Sequence, residues 1–297
     1  SIPFANHYEY TASYNDLGHT DNNDHFWAQM DFLTPEMFRT LRPGRIAAIH
    51  VKDRIVFGNV NGDGFPQVSP FHCEGIMHYM KHGYRYMGMI TVSTDVVREN
   101  NQTYRLGWTE CCKDGTKMGV GSPEHILLFR KPPSDSGKAY ADVPVQKEKA
   151  DYPRRRWQID AAADWRSSGN RLISPKEIAG MDMKRLQAWW ADYKERQTYN
   201  YDEHIELGRE LEKIGRMPSS FMLFNPAINT EWTWADILRM KTLNAEQTKK
   251  REENHICPLQ IDIVERLITR FTNPGEIVMD PFGGLMTVPY IAIKMGR

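Results

Sequence analysis

The sequence lacks any excess of charge. Across its 297 residues, 38 lysine and arginine side chains are matched by 38 aspartate and glutamate side chains. This balance excludes a protein that attracts nucleic acid through a general positive field, so any contact with DNA has to come from local basic clusters. The chain also has no signal peptide and no uninterrupted apolar run long enough to cross a membrane, so we expect no membrane partner.

Cysteine is scarce as well. The four cysteines, at positions 73, 111, 112 and 257, form no C-x-x-C zinc pattern, and the neighbouring Cys111 and Cys112 are poorly placed to pair with each other. Reduced thiols are typical of the cytoplasm, where we place the protein. We interpret His72, His78 and His82 as residues of a helix face, and we predict no metal.

Helical and strand patterns alternate in the first 131 residues. Apolar residues recur with helical period in the segment 23–44, and Pro35 is expected to divide this segment into two helices. A second helix pattern ends at Gly83. Short apolar runs predict strands at 45–51, 84–94 and 124–131. This alternation is typical of an α/β fold.

The α/β pattern is interrupted and then returns. Polar, proline-dotted sequence begins after Pro133, and a helical pattern follows at 174–214. From Pro258 onwards a helix, an apolar strand at 277–280, a turn and a last helix are predicted. We therefore expect one α/β domain with an inserted, mostly helical region. The predicted boundaries are 1–132 and 254–297 for the two halves of the domain and 133–253 for the insertion.

The turn after the strand at 277–280 has the composition of a ligand-binding turn. Its sequence, DPFGG at 280–284, would let the backbone approach a ligand at the glycines, and the following helix would present free N–H groups. It matches neither the G-x-G-x-x-G dinucleotide pattern nor a phosphate-binding loop with Lys-Ser/Thr. Taken alone, it fits an ordinary strand-to-helix connection equally well. A polar cluster, His50, Lys52 and Asp53, also lies at the carboxyl end of the predicted strand 45–51, where α/β sheets collect ligands.

The surrounding sequence resembles the beta-class DNA amino-methyltransferases, in which the two halves of the domain are circularly permuted. The block NHICPLQIDIVERLITRFTNPGEIVMDPFGG at 254–284 is similar to the C-terminal block of that family, and SIPF at 1–4 is similar to its catalytic Asp/Asn/Ser-Pro-Pro-aromatic motif. The segments 34–53 and 121–131 resemble the helix–strand block and the later strand of the same family. The resemblance covers about residues 1–131 and 254–297 and is closest to methylases of phages and prophages.

The resemblance implies a fold, a reaction and site residues. The fold would be a circularly permuted, Rossmann-like S-adenosylmethionine-dependent methyltransferase sheet, with the insertion as target-recognition region. The reaction would transfer a methyl group to the exocyclic amine of cytosine (N4) or adenine (N6) in DNA, and Ser1 favours cytosine slightly. The residues that would bind S-adenosylmethionine are Pro258, Asp280, Pro281, Phe282, Gly283, Gly284 and Thr287.

The catalytic motif would act on an amine that is a poor nucleophile, since its lone pair is delocalised into the base. An enzyme has to extrude the base, stack it on an aromatic ring and hold the amine by hydrogen bonds. By the resemblance, the Ser1 side chain and the Ile2 carbonyl would accept hydrogen bonds from the amine. Pro3 would shape the loop, and Phe4 would stack on the base.

Two residues depart from the family pattern. Ile2 stands where a second proline is usual, and Met286 stands where a glycine is usual. The chain also opens without the strand expected before Ser1 and stops before the strand whose acidic end would bind the cofactor ribose. We therefore expect a piece that lacks sheet strands at both ends. A catalytically inactive DNA-binding module of the same fold stays an alternative, as does a methyltransferase that acts on RNA.

The partner implied by the resemblance is double-stranded DNA. Arg154, Arg155 and Arg156 with the neighbouring Trp157 could hold phosphates beside a stacking ring, and we predict them as DNA-binding residues. A solvated charged face would have the same composition. The sequence leaves open the recognition site, a homodimer and a restriction endonuclease partner.

Overall fold

A computed structural model describes residues 1–4, 11, 13, 15–93, 112–114, 116, 123–153, 156–157, 175–196, 206, 209–210, 213, 233–234, 237–244, 255 and 257–297. The chain divides into two compact units. The first consists of Ser1–Val92, Gln102–Gln146 and Ile237–Arg297, and the second of Ser93–Asn101 and Lys147–Asp236. The first unit thus brings together the beginning and the end of the chain.

A mixed β-sheet lies at the centre of the first unit. Strand β5 (Glu124–Arg130) lies between β1 (Ile46–Lys52) and β4 (Arg85–Val92) and is antiparallel to both. Strands β1 and β4 therefore run in the same direction, and helix α3 (Phe71–Lys81) lies between them in the chain. Helices with a mixed sheet define an α/β fold, which confirms the predicted class.

A small hairpin follows β1. Strands β2 (Arg54–Val56) and β3 (Gln67–Ser69) pair antiparallel, and the short helix α2 (Gly58–Asn61) lies between them in the chain. Residues 57–66 therefore connect two strands of one hairpin.

The first helix is continuous. Helix α1 (Asn23–Thr40) begins at Asn22, whose side-chain oxygen accepts a hydrogen bond from the His25 N–H at 2.8 Å. The predicted division at Pro35 is wrong, since Pro35 lies exposed within the helix. Buried residues on both sides of the proline hold the helix on the core, and this packing offsets the missing backbone hydrogen bond. These residues are Phe26, Met30, Thr34 and Met37.

The main core lies between α1, α3 and one face of the sheet. Its buried members include Phe26, Phe71, Tyr79, Leu127 and Phe129. All five side chains are completely buried, so α1 and α3 cover this face of the sheet closely.

Two helices close the chain. Helix α6 (Ile261–Phe271) and helix α7 (Thr287–Lys294) share a buried cluster, against which Val278 packs. The prediction of a strand at 277–280 is wrong, because this segment does not form one. A strand needs a hydrogen-bonded neighbour, and within the described residues no strand pairs with this segment; Ile277 is 90% exposed.

The second unit contributes two described helices. These are α4 (Pro175–Ile178) and α5 (Met183–Arg196), which are followed by the short strand β6 (Thr233–Trp234). The Ser93 N–H donates to the Trp234 carbonyl at 2.9 Å. Among the described residues, no helix is both long enough and apolar enough to pass through a bilayer.

Candidate active site

A cavity of about 700 Å³ opens in the first unit. Residues 1–4 line one part of it and residues 280–284 another, although they come from opposite ends of the chain. Pro258 and Thr287 line it too, so all the predicted catalytic and cofactor-binding residues face one cavity. The volume is within the range usual for sites that hold a small molecule or cofactor.

The turn at 280–284 is tightly built. The Asp280 carboxylate accepts a hydrogen bond from the Phe282 N–H at 3.0 Å, which closes the turn. A Cβ atom on Gly283 would lie 2.7 Å from the Met286 sulfur, and a Cβ on Gly284 would lie 3.3 Å from His255 Nε2. Side chains at these two positions would therefore displace their neighbours, and the backbone itself forms the cavity wall.

Met286 directly precedes helix α7. Its φ of 61° and ψ of 32° place it in the left-handed region, which is strained for a residue with a side chain. Its N–H donates to the Gly283 carbonyl at 2.6 Å. The backbone at this position therefore has the conformation that glycine adopts without strain, and methionine tolerates it here.

The loop at 1–4 is anchored to β1. The Ile2 side chain is 4% exposed and belongs to the main core, while its N–H points to the His50 carbonyl at 3.4 Å. Phe4 is 6% exposed and meets the His50 ring edge-on, with 5.8 Å between the ring centroids. The isoleucine thus fixes the loop by burial, and its carbonyl remains part of the segment that lines the cavity.

A buried hydrogen-bond chain leads from Ser1 into the sheet. The His50 Nδ1 atom lies 3.0 Å from Ser1 Oγ, and His50 Nε2 lies 3.0 Å from Glu124 Oε2. The other Glu124 oxygen contacts the Arg239 guanidinium. Burial opposes ionisation of Glu124. The hydrogen bond from His50 and the positive charges of Arg239 and Lys52 nevertheless hold its pKa far below the usual range, so it is a carboxylate at neutral pH.

This carboxylate fixes the tautomer of His50. A carboxylate only accepts hydrogen bonds, so the shared proton resides on Nε2. When the ring is neutral, Nδ1 is therefore an acceptor, to which the Ser1 hydroxyl donates. The lone pairs of Ser1 Oγ are left to accept hydrogen bonds from a group in the cavity.

Sequence reasoning did not single out His255, which also lines the cavity. Its backbone N–H and carbonyl pair with the Asn244 side chain at 3.0 and 2.8 Å, and its Nδ1 accepts from the Cys257 N–H at 3.2 Å. The ring is therefore held beside Gly284. Its place in the block at 254–284 was the available signal, but nothing in that block distinguishes it as a wall residue.

Asp16 is a second lining residue that sequence reasoning missed. Its carboxylate accepts from the Thr11 N–H at 2.6 Å and from the Gly18 N–H at 2.8 Å. These bonds fold the segment after the loop at 1–4 back on itself, so Asp16 shapes the rim of the cavity. The sequence there has no period that would reveal this.

The predicted DNA-binding cluster belongs to the second unit. Arg154 and Arg155 lie outside the described residues. The Arg156 guanidinium lies 5.8 Å from the centroid of the Tyr152 ring, and Trp157 is 55% exposed. An exposed tryptophan beside a stacked arginine is compatible with contact to nucleic acid.

The histidines of α3 and its C-terminal end are not isolated. His78 and His82 gather around Asp31, and His72 gathers with Asp53 and His125. Within each group, one ligand atom per residue lies within 4.8 Å of the others. Both groups therefore have the composition and spacing that metal ions accept.

The fold and cavity define an α/β protein with a ligand site built from two distant motifs. A family model described as DNA methylase, of the N6/N4 methyltransferase type, matches residues 1–297. The chain belongs to this DNA methylase family.

Individual relatives are more distant. The type II methyltransferase M.BamHI of Bacillus amyloliquefaciens is 30% identical over 91 residues, which is 30% of this chain and 19% of that protein. The match thus spans about a fifth of the length of this curated relative. TTHA0409 of Thermus thermophilus, described as a candidate DNA modification methylase and complexed with S-adenosyl-L-methionine, is 18% identical. The match covers 96% of this chain and 74% of that one, with a TM-score of 0.44. A second structure of TTHA0409 is 17% identical, with a TM-score of 0.43 and coverage of 96% and 73%.

Proposed function

We propose that the protein is an S-adenosylmethionine-dependent DNA methyltransferase that modifies the exocyclic amine of cytosine (N4) or adenine (N6). One observation carries this proposal: the motif at 1–4 and the turn at 280–284 line the same cavity. Methyl transfer needs an acceptor-binding loop and a donor-binding turn at one site. Membership of the DNA methylase family over residues 1–297 supports the same reaction.

The turn fits the methyl donor. Gly283 and Gly284 leave the backbone uncovered, and any Cβ there would crowd Met286 or His255. Asp280, Phe282, Gly284 and Thr287 would hold the donor, which supplies an electrophilic methyl group on a sulfonium when bound. The chain's own contribution is to position the amine and to exclude water.

The loop at 1–4 would hold the base. Phe4 would stack on the extruded ring, while Ser1 Oγ and the Ile2 carbonyl would accept from the amine and direct its lone pair toward the cavity. His50 and Glu124 make Ser1 Oγ an acceptor, as the hydroxyl proton is used in the hydrogen bond to His50 Nδ1. This arrangement favours transfer over the inactive-module alternative, since Ile2 is accommodated in the main core while residues 1–4 still line the cavity.

The insertion would recognise DNA. We assign target recognition to the predicted insertion at 133–253, in particular to its residues 147–236, which fall in the second unit. Phosphate contact is assigned to Arg154, Arg155, Arg156 and Trp157, and the catalytic and cofactor-binding halves to 1–132 and 254–297. The exposed Trp157 beside Arg156 supports this assignment. A basic and aromatic surface is the usual means by which a neutral protein binds nucleic acid.

The test is nucleoside mass spectrometry. The purified protein is incubated with unmodified DNA and isotope-labelled S-adenosylmethionine, and the DNA is digested to nucleosides. We expect labelled N4-methylcytosine or N6-methyladenine, and the identity of the product decides between the two bases. If donor binding is measured but no labelled nucleoside forms on DNA, the protein is a non-catalytic module; label on RNA alone would assign it to RNA.

Variants at Phe4 separate stacking from donor binding. We expect Phe4→Ala to abolish turnover while the affinity for the donor stays near that of the unchanged protein. Phe4→Tyr keeps an aromatic ring and should retain turnover. Equal loss of turnover and donor affinity in Phe4→Ala would contradict the stacking role.

A further inference from the structure

We propose that Asp53, His72 and His125 form a binding site for a divalent transition-metal ion, with Zn²⁺ as the best match. The three residues come from different elements: Asp53 follows β1, His72 lies in the first turn of α3, and His125 lies in β5. One ligand atom from each lies within 4.8 Å of the others. Two imidazoles and one carboxylate form a common ligand set for Zn²⁺.

The site lies on the face of the sheet away from the Ser1–His50–Glu124 chain. Neighbouring residues of a strand point to opposite faces, so His125 points away from the side of Glu124 and His50. Helix α3 covers this second face, where Gly75 packs against the Leu127 side chain. A metal ion here would join β1, β5 and α3 and would not take part in methyl transfer.

Asp53 and His72 are already drawn together. His72 Nδ1 lies 2.7 Å from Asp53 Oδ1, and the His72 backbone N–H donates to the same oxygen at 3.1 Å. Two ligands bound to one tetrahedral Zn²⁺ at about 2.0 Å are separated by about 3.3 Å. An opening of about half an ångström would therefore convert this hydrogen-bonded pair into two metal ligands.

His125 supplies the independent observation. The residue is 6% exposed, and its Nδ1 atom has no hydrogen-bond partner among the described residues. Its ring lies near that of His72, with the centroids 4.5 Å apart. A buried ring nitrogen without a partner is unfavourable, and a metal ion beside His72 would satisfy it.

The second cluster, Asp31 with His78 and His82, fits a cation less well. Lys81 Nζ lies 2.8 Å from the Asp31 carboxylate and already neutralises it. His82 Nε2 bonds the same carboxylate at 2.6 Å, and His78 Nε2 is hydrogen-bonded to Thr34 at 2.8 Å. An added cation would have to displace an ammonium group, so we assign metal binding to Asp53, His72 and His125 alone.

The test is calorimetric titration of chelator-treated full-length protein with Zn²⁺, together with the visible spectrum of the Co²⁺-loaded protein. We expect one ion per chain and d–d bands of a four- or five-coordinate Co²⁺ site. Asp53→Asn keeps an oxygen that can accept from the His72 N–H, so the start of α3 is preserved while the charge is lost. Asp53→Asn and His72→Gln should each weaken Zn²⁺ binding at least about tenfold, since even indirect support of a metal ligand is worth that much.

A matched variant locates the ion. His82 belongs to the second cluster, and His82→Gln makes the same change as His72→Gln at that cluster. His82→Gln should leave Zn²⁺ affinity and the Co²⁺ spectrum unchanged. The proposal is overturned if the protein binds no Zn²⁺, if Asp53→Asn and His72→Gln bind it as tightly as the unchanged protein, or if His82→Gln abolishes binding.

Discussion

At the scale of single residues, the candidate active site depends on which partner donates the hydrogen bond between Ser1 and His50. A serine hydroxyl can donate or accept, and an amine that is to be methylated needs an acceptor. Glu124 requires a donor at His50 Nε2, and His50 Nδ1 then requires a donor at Ser1 Oγ. The buried carboxylate therefore determines how Ser1 faces the cavity, although it lies two side chains away.

We therefore expect His50 to act through Ser1. We expect His50→Gln to lower kcat roughly 10- to 100-fold, because a lost buried hydrogen bond costs about 1–3 kcal/mol, while the affinity for the methyl donor changes little. Ser1→Ala should lower kcat by a similar factor. Steady-state kinetics with DNA, and donor affinity by calorimetry, measure both quantities.

The double variant is the decisive measurement. If His50 works only by orienting the Ser1 hydroxyl, Ser1→Ala with His50→Gln should be no slower than Ser1→Ala alone, because residues that act as a unit are not additive. Fully additive losses would assign His50 a separate role. Circular dichroism of each variant checks that the loss is not one of folding.

Single residues also show what a sequence can and cannot predict about this site. The motifs at 1–4 and 280–284 could be found because their residue types and spacing are local. Ile2 was seen only as a departure from proline, since its packing against the main core depends on residues far along the chain. Glu124 and Arg239 have no local signal as a pair, because the fold alone brings them together.

At the scale of elements, α1 contains a proline that its pattern predicted as a break. Proline lacks the N–H that would bond to the carbonyl four residues earlier, and its ring crowds that turn. Pro35 is exposed, whereas Met30, Thr34 and Met37 are buried. Tertiary packing of the buried face therefore overrides a local destabilising residue on the exposed one.

Replacement of this proline should stabilise the protein. We expect Pro35→Ala to raise the free energy of unfolding by about 2 kcal/mol, since alanine restores a helical hydrogen bond and only part of the gain is offset by a more flexible unfolded chain. Urea unfolding measures the change. Glu36→Ala, at the next exposed position, should change it by less than about 0.5 kcal/mol. Destabilisation by Pro35→Ala would show that the packing of α1 requires the proline.

The segment 277–280 shows the opposite case, in which the local pattern favours an element that the fold does not form. Its apolar composition predicted the chain that leads into the turn, yet it forms no strand within the described part of the molecule. Strand composition describes the segment, whereas strand formation depends on a neighbour that pairs with it. Prediction from sequence therefore identified the position of the turn better than the element in front of it.

At the scale of the whole first unit, distant parts of the chain meet at one buried ion pair. The Arg45 guanidinium contacts Glu276 and donates to the Val143 carbonyl at 2.8 Å. The Asn273 N–H donates to Glu276 at 2.8 Å, and its side chain donates to the Pro144 carbonyl at 2.9 Å. These contacts thus connect the segment that leads into β1 to the segment that leads into the turn at 280–284.

The sequence could predict which blocks of the chain meet, but not the Arg45–Glu276 ion pair that connects them. The alternation of helices and strands indicated an α/β fold, and the family resemblance indicated that both ends of the chain build one site. Arg45 follows a Pro-Gly turn and Glu276 follows another, so the local sequence of each is typical of an exposed charged residue. Only the folded chain reveals that their side chains are 9% and 13% exposed.

Loss of the Arg45–Glu276 pair should therefore destabilise the whole unit. We expect Arg45→Met to lower the free energy of unfolding by about 3–5 kcal/mol, because it leaves the Glu276 charge buried without its partner. Arg42 lies 3.6 Å from the same carboxylate but is 59% exposed, so Arg42→Met should lower it by no more than about 1 kcal/mol. Urea unfolding of both variants makes the comparison, and equal losses would contradict the special role of Arg45.

The same pair predicts a dependence on pH. Burial raises the pKa of Glu276, but the hydrogen bonds from Arg45 and Asn273 and the Arg45 charge outweigh it, so the pKa in the folded protein lies below the ordinary value of a glutamate. A carboxyl whose pKa is lowered by folding stabilises the protein above the unfolded pKa, and this contribution is lost as the pH falls through the folded pKa. Between these two values, the free energy of unfolding of the unchanged protein should decrease as the pH is lowered. This decrease should be steeper than that of Glu276→Gln, which has no charge to lose. Parallel pH profiles from urea unfolding would show that the ion pair does not link the two ends of the chain, and the connection would then rest on the Asn273 and Val143 hydrogen bonds.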